Sequence, residues 1–369
     1  MLKNIEEMVG EGIKGLIPYK PGKPMEELER ELGITDSVKV ASNENPIGPS
    51  PKAVEAIKEA LSNLNRYPDG NATVLKDRLA EKLGVKPTNL IIGNGSNEIL
   101  ELMLRTYLGP GESVVFSEHA FVVYMLVTRA AGGRGIAVPM KGFTHDLEAI
   151  AKAIEPDTRL VFVANPNNPT GTFNTGEEVE ALIDALPDKC LLVIDEAYVE
   201  YVQDPSYPDS LKYLDRPVLI ARTFSKLHGL AGLRIGYGVA NERIIEYMNR
   251  VRQPFNVNAI AQIAATAALD DTEHRKLVIE TNKVGMAFVK EKLKAMDLTW
   301  VPSVANFLLI NVERPGMEVF QKLLPKGVIV RAMTEYGYPE YIRVTIGTRE
   351  ENVKFIKTLG EVLGRDVSV

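Results

Sequence analysis

The sequence predicts an α/β chain: a mostly parallel sheet covered on both faces, then a smaller α+β region. Three observations carry this. Short apolar runs recur between about residues 90 and 240: Leu90-Ile91-Ile92, Val114-Val115-Phe116, Leu160-Val161-Phe162-Val163, Leu191-Leu192-Val193-Ile194, Val218-Leu219-Ile220 and Ile235-Gly236-Tyr237-Gly238-Val239. They lack a polar face, as strands buried on both sides do. Amphipathic stretches separate them; Val179, Leu182, Ile183 and Leu186 fall at i, i+3, i+4 and i+7. Beyond residue 272 a long helical pattern, with Leu277, Thr281, Val284 and Phe288 on one face, leads into Phe307-Leu308-Leu309-Ile310, Val328-Ile329-Val330 and Tyr341-Ile342-Arg343-Val344. A last helix begins near Glu350.

The remaining elements follow the same logic. Residues 1–50 read as an arm of helical pieces broken by Pro18, Pro21, Pro24 and Pro46. Helical spacing resumes at Val54, Ile57, Leu61 and Leu64. The expected division is an arm over 1–50 that joins the small domain, a large domain over 51–272 and a small domain over 273–369. With 45% hydrophobic and 25% charged residues in 369, the chain can bury a sizeable core. A net charge of −6 argues against a nucleic-acid surface. Cys190 is the only cysteine, so no intrachain disulfide forms and a reducing cytoplasm is expected. The first residues lack a positive-then-apolar leader, and no apolar run reaches the ~18–20 residues of a membrane span.

Chemistry concentrates at the ends of the apolar runs, where open α/β sheets bind ligands. Val218-Leu219-Ile220-Ala221 delivers Thr223, Ser225 and Lys226 to its end, and a glycine-punctuated loop returns Arg234 eight positions later. A lysine beside hydroxyls and a fixed cation suits a Schiff base next to a bound phosphate, the combination pyridoxal phosphate (PLP) needs. Gly93-Asn94-Gly95-Ser96-Asn97-Glu98 opens a helix whose amides suit an anion, or is a plain turn. Asp195 closes a buried strand and must meet a cation or several donors: a protonated pyridine nitrogen, a helix cap or a structural ion pair. Asn165-Pro166-Asn167-Asn168-Pro169-Thr170-Gly171 reads as extended backbone and a bend. Phe121 and Tyr124 follow another run, and Phe121 suits either a ring stack or core packing.

In this order the signals resemble the fold-type I PLP aminotransferases over nearly the whole chain. The match rests on Gly95-Ser96-Asn97, Asn168-Pro169-Thr170-Gly171, Asp195-Glu196-Ala197-Tyr198, Ser225-Lys226, Gly232-Leu233-Arg234 and Arg343 in Ile342-Arg343-Val344-Thr345-Ile346-Gly347. The resemblance implies a seven-stranded main sheet and a set of roles. Lys226 carries the cofactor aldehyde, then serves as the proton shuttle. Asp195 pairs with the pyridine nitrogen, Asn168 and Tyr198 donate to the phenolic oxygen, and Phe121 stacks on the ring. Gly95, Ser96, Asn97, Ser225 and Arg234 surround the phosphate, with Thr223 as an alternative or additional hydroxyl. Tyr67, in Arg66-Tyr67-Pro68-Asp69-Gly70, would reach the phosphate of a partner subunit, which implies a homodimer.

Within that superfamily the chain resembles the histidinol-phosphate aminotransferase family. Pro18-Tyr19-Lys20-Pro21-Gly22, Ala41-Ser42-Asn43-Glu44-Asn45-Pro46-Ile47-Gly48-Pro49 and Val330-Arg331 are typical of it. The implied substrates are a phosphorylated amine donor and 2-oxoglutarate, with Tyr19, Asn168, Arg331 and Arg343 around the anionic end. Phe121 departs from the tyrosine many members carry, which removes a hydroxyl and leaves stacking. Other readings are an aromatic amino-acid aminotransferase, a decarboxylase of a phosphorylated amino acid, and a PLP-sensing regulator, for which no DNA-binding segment is evident. His119, His145, His228 and His274 show no metal-ligand spacing, and no metal is expected. Asp270-Asp271 reads as a solvated pair, and Cys190 as packing.

Overall fold

The apolar runs between residues 90 and 240 each become a strand of one sheet. The computed structural model describes residues 4–18 and 22–368. After a short arm strand, β1 (Val38–Lys39), come β2 (Leu90–Gly93), β3 (Ser113–Ser117), β4 (Arg134–Val138), β5 (Thr158–Ala164), β6 (Leu191–Asp195), β7 (Val218–Thr223) and β8 (Gly236–Ala240). Their order in the sheet is β2-β8-β7-β6-β5-β3-β4. Only β8 runs antiparallel to its neighbours. Successive side chains point to opposite faces of a strand. Leu192 and Ile194 therefore join one buried core, and Val193 joins the core on the other side. That double burial explains the absence of a polar face.

The sheet has one strand more than the apolar runs show. Strand β4 is an edge, paired only with β3, and its Arg134 is exposed. Helix Thr272–Ala295 leads on to β9 (Thr299–Val301) and β10 (Phe307–Asn311), then to β11 (Val328–Ile329), β12 (Arg331–Ala332) and β13 (Tyr341–Thr345). Strands β12-β13-β10-β9 form an antiparallel sheet, while β1 of the arm pairs parallel with β11. Val40 lies in the same core as Leu308, Val344 and Phe355, so the arm packs where the C-terminal strands do.

Four local expectations are corrected. Leu277 and Val284 are exposed, at 52% and 54%; the helix instead buries Val278, Gly285, Val289 and Leu293. Leu277 and Val284 each lie next to the residue that enters the core, Val278 and Gly285, whereas Phe288 is buried as the spacing predicts. Asp271 is not a solvated carboxylate: it is buried, accepts from Ser50 Oγ at 2.6 Å, and caps the helix through His274 N. Asp270 is the member of the pair at the surface, bound to Arg78. The Asn165–Pro166 and Asn168–Pro169 bonds, expected as extended steps, are both cis. Helix Pro51–Ala60 ends before Leu61 and Leu64, which are exposed.

Candidate active site

Strands β5, β6 and β7 end side by side, and their terminal residues open into a cavity of about 250 Å³. Most residues singled out from the sequence line it: Ser96, Asn97, Phe121 and Asn168, then Asp195, Tyr198, Thr223, Ser225, Lys226 and Arg234. Arg331 and Arg343 close it from the small sheet. Gly95 contributes backbone. It adopts φ 73°, and a Cβ there would stand 2.6 Å from the Arg234 guanidinium. Gly236 is constrained likewise, since a Cβ would meet Ser96 N at 2.5 Å. Both glycines let the helix Gly95–Tyr107 present its first amides beside Arg234.

This corner suits an anion. Thr223 Oγ1 donates to Ser225 Oγ at 3.0 Å, and Arg234 Nη1 donates to the same oxygen at 3.4 Å. Thr223 and Ser225 are both buried and both line the cavity, so the two hydroxyls act as one group. Lys226 follows directly. Its Nζ donates to Ser42 O at 3.3 Å. Burial lowers its pKa to about 8, helped by the nearby Arg343 and Arg234 cations and opposed by Glu44 and Asp195. The amine is therefore partly neutral near physiological pH, as a nucleophile and proton carrier must be.

Asp195 and Glu196 are adjacent carboxylates with different fates. Glu196 is fully buried and bound by Arg222, whose Nε and Nη2 lie 2.8 and 2.7 Å from Oε2. Asp195 Oδ2 accepts from Tyr124 at 2.9 Å, but buried Oδ1 has no hydrogen-bond partner among the described residues. Burial raises the Asp195 pKa to about 6, against the lowering effect of the Tyr124 hydrogen bond. An unsatisfied buried carboxylate oxygen is costly. One facing a cavity fits a cationic ring nitrogen, so the residues present fit PLP: a lysine, an anion corner, a ring partner and, in Phe121, an aromatic lining residue.

The far wall is cationic. Arg331 and Arg343 are direct partners across β12 and β13, so both project from one face of the sheet. Arg343 is 7% exposed; its Nη1 donates to Asn168 Oδ1 and its Nη2 to Ala41 O at 2.7 Å. Its guanidinium lies 5.5 Å from the Phe307 ring. Arg331 has Glu335 at 3.7 Å. Tyr67 is not in this cavity: it is 83% exposed and stacks on Phe255 at 4.8 Å. The Tyr19 assignment lies outside the described residues.

Two further groups at the site carried no sequence assignment. Tyr124, fully buried and stacked on Phe162 at 4.9 Å, holds Asp195. Asn43 lines the cavity and bonds Tyr198. Its motif stood out in the sequence, but nothing local signals a partner 155 residues away. Among the described residues no cluster of three His, Cys, Asp or Glu is placed to hold a metal.

A buried lysine with a lowered pKa, beside an anion corner at the carboxyl ends of a parallel sheet, defines an enzyme that handles amines. The chain belongs to the class I and II aminotransferases, whose family model matches residues 35–359, and within them to the histidinol-phosphate aminotransferase family. It is 50% identical to histidinol-phosphate aminotransferase 1 of Nitrosococcus oceani over 97% of both chains. It is also 50% identical to the histidinol-phosphate aminotransferase of Moorella thermoacetica, over 96% of this chain and 92% of that one. The structure of the Sinorhizobium meliloti histidinol-phosphate aminotransferase in complex with pyridoxal-5'-phosphate superposes with a TM-score of 0.88. It is 29% identical and covers 96% of this chain and 97% of its own.

Proposed function

We propose that this aminotransferase moves the amino group of L-histidinol phosphate to 2-oxoglutarate, giving imidazole-acetol phosphate and glutamate. The observation that carries the reading is the Arg331–Arg343 pair, in register on one face and closing the cavity that holds Lys226. Two fixed cations suit a substrate ending in phosphate and a second ending in carboxylate. An aromatic amino acid would use one.

PLP, when bound, supplies an aldehyde for amines and a ring that takes up electrons from the substrate. Lys226 Nζ is the group that takes and returns the proton at the amine-bearing carbon. Asp195 Oδ1 holds a proton at the ring nitrogen, and Phe121 packs against the ring. Asn168 and Tyr198 donate to the ring oxygen. Ser96, Asn97, Thr223, Ser225 and Arg234, with the Gly95 backbone, receive the phosphate. Arg331, Arg343 and Tyr19 take the substrate's anionic end.

The same reading makes the enzyme a cytoplasmic homodimer. Tyr67 and Phe255 stand with Leu64, Val74 and Ile263 among the exposed large apolar side chains, a surface suited to a second copy. Tyr67 would then complete the partner's phosphate site. The proposed organisation into 1–50, 51–272 and 273–369 is supported by the separation of the two main-sheet cores from the core that holds residues 286–363 together with Val40 of the arm.

Purified protein given histidinol phosphate and 2-oxoglutarate should form glutamate with a kcat/KM at least about tenfold above that for phenylalanine or tyrosine as donor. An aromatic donor preferred over histidinol phosphate would overturn the substrate assignment.

A further inference from the structure

The Tyr198 hydroxyl lies in a hydrogen-bond chain whose polarity is determined by groups outside the main sheet. The backbone N–H of Asn43 can only donate, and it donates to Thr345 Oγ1 at 2.8 Å. That leaves the Thr345 hydroxyl proton for Asn43 Oδ1, 3.3 Å away. With Oδ1 engaged as acceptor, the other end of the amide, Nδ2, faces Tyr198 Oη at 2.9 Å. An amide nitrogen donates and does not accept. The Tyr198 proton is therefore directed away from Asn43, and Tyr198 lines the cavity.

The arrangement is locked at both ends. Asn43, Thr345 and Tyr198 are all buried, at 1%, 4% and 3% exposure. Asn306 Nδ2 donates to Asn43 O at 3.2 Å. Asn43 sits at φ 55°, in the left-handed region that asparagine, aspartate and glycine tolerate better than other residues. Its neighbours Ala41 and Ser42 accept from Arg343 and Lys226 through their carbonyls. One stretch of the arm thus contacts three side chains of the cavity.

We infer that Asn43 is a positioning residue that makes Tyr198 a hydrogen-bond donor into the cavity, with Thr345 of the small sheet fixing the orientation of the Asn43 amide. This rests on the reading that the cavity holds PLP, whose ring oxygen receives the proton. The arm and the small sheet thereby control a tyrosine that follows a main-sheet strand.

The test is the pH midpoint of the visible absorbance change of the PLP-loaded protein, together with the Kd for PLP. Wild-type protein that binds no PLP would overturn the proposed function itself; the variants then test Asn43. Asn43→Gly keeps the backbone conformation and removes the amide, whereas Asn43→Asp keeps the conformation and offers Tyr198 an acceptor in place of a donor. Tyr198→Phe should raise the midpoint by about one unit, the worth of one hydrogen bond to the ring oxygen. Asn43→Asp should raise it at least as much, and Asn43→Gly by a smaller amount. In the Tyr198→Phe background, Asn43→Gly should add nothing. An unshifted midpoint in Asn43→Asp, or a shift in Asn43→Gly that adds in full to that of Tyr198→Phe, overturns the inference. A merely structural Asn43 would lower thermal stability without moving the midpoint.

Discussion

On the main-sheet side of the cavity, Lys226 and Asp195 are ionisable groups that burial has moved toward neutrality, to about 8 and about 6. On the small-sheet side stand Arg331 and Arg343, and a guanidinium is not deprotonated in proteins. The first wall can exchange protons and the second cannot. The difference separates two tasks: Lys226, just past the end of β7, must change charge during a reaction, and the groups that must keep theirs lie on β12 and β13. Substitutions should divide accordingly, with main-sheet changes acting on kcat and cofactor retention and small-sheet changes acting on KM.

The sharpest way to break this division is Lys226→Ala. It should lower kcat by at least about 10³-fold, since both nucleophile and proton carrier are lost. Stopped-flow or steady-state turnover within tenfold of wild type would end the assignment. The opposite wall is tested by Arg343→Ala and Arg331→Ala. Each removes a charge-assisted contact of about 1.5–3 kcal/mol, roughly 10- to 100-fold in KM. The cofactor Kd should change less than threefold. Arg343→Ala should be the larger, because Asn168 also loses its partner. A kcat effect without a KM effect would merge the two walls.

A smaller effect links them. With its pKa lowered from 10.5, Lys226 is charged below about pH 8 and neutral above it. Capture of added PLP by the cofactor-free protein should therefore accelerate as pH rises through about 8. Arg343 is the second cause of the lowering, so Arg343→Gln should move that midpoint upward. A midpoint that stays put, or falls, contradicts the electrostatic coupling.

How legible this was in the sequence depended on distance along the chain. Buried strands announced themselves as apolar runs, because both faces are covered. Edge strand β4 did not, since Arg134 faces solvent. Lys226, Ser225 and Arg234 lie within nine residues of one another and read as a unit. Asp195 was visible as a strand-ending carboxylate, but its alternatives separated only when Glu196 proved to be the member with the ion pair. Asn43 was visible as part of a motif and silent as to role, because its partners Tyr198 and Thr345 lie 155 and 302 residues away. Periodicity reports the environment of a residue along its own element; it carries no information on which distant group completes a hydrogen bond.

The pairing of Arg331 with Arg343 makes the hydrogen-bond ladder between β12 and β13 a ruler. Backbone geometry sets where the two side chains begin, with directly opposed Cβ atoms about 4.5–5.5 Å apart. On the proposed function, the length of the connection from Met333 to Glu340 decides whether both arginines can meet one anion. Shortening that connection by one residue would shift the register and turn one arginine toward the opposite face, leaving both guanidinium groups in the protein and only one in the cavity.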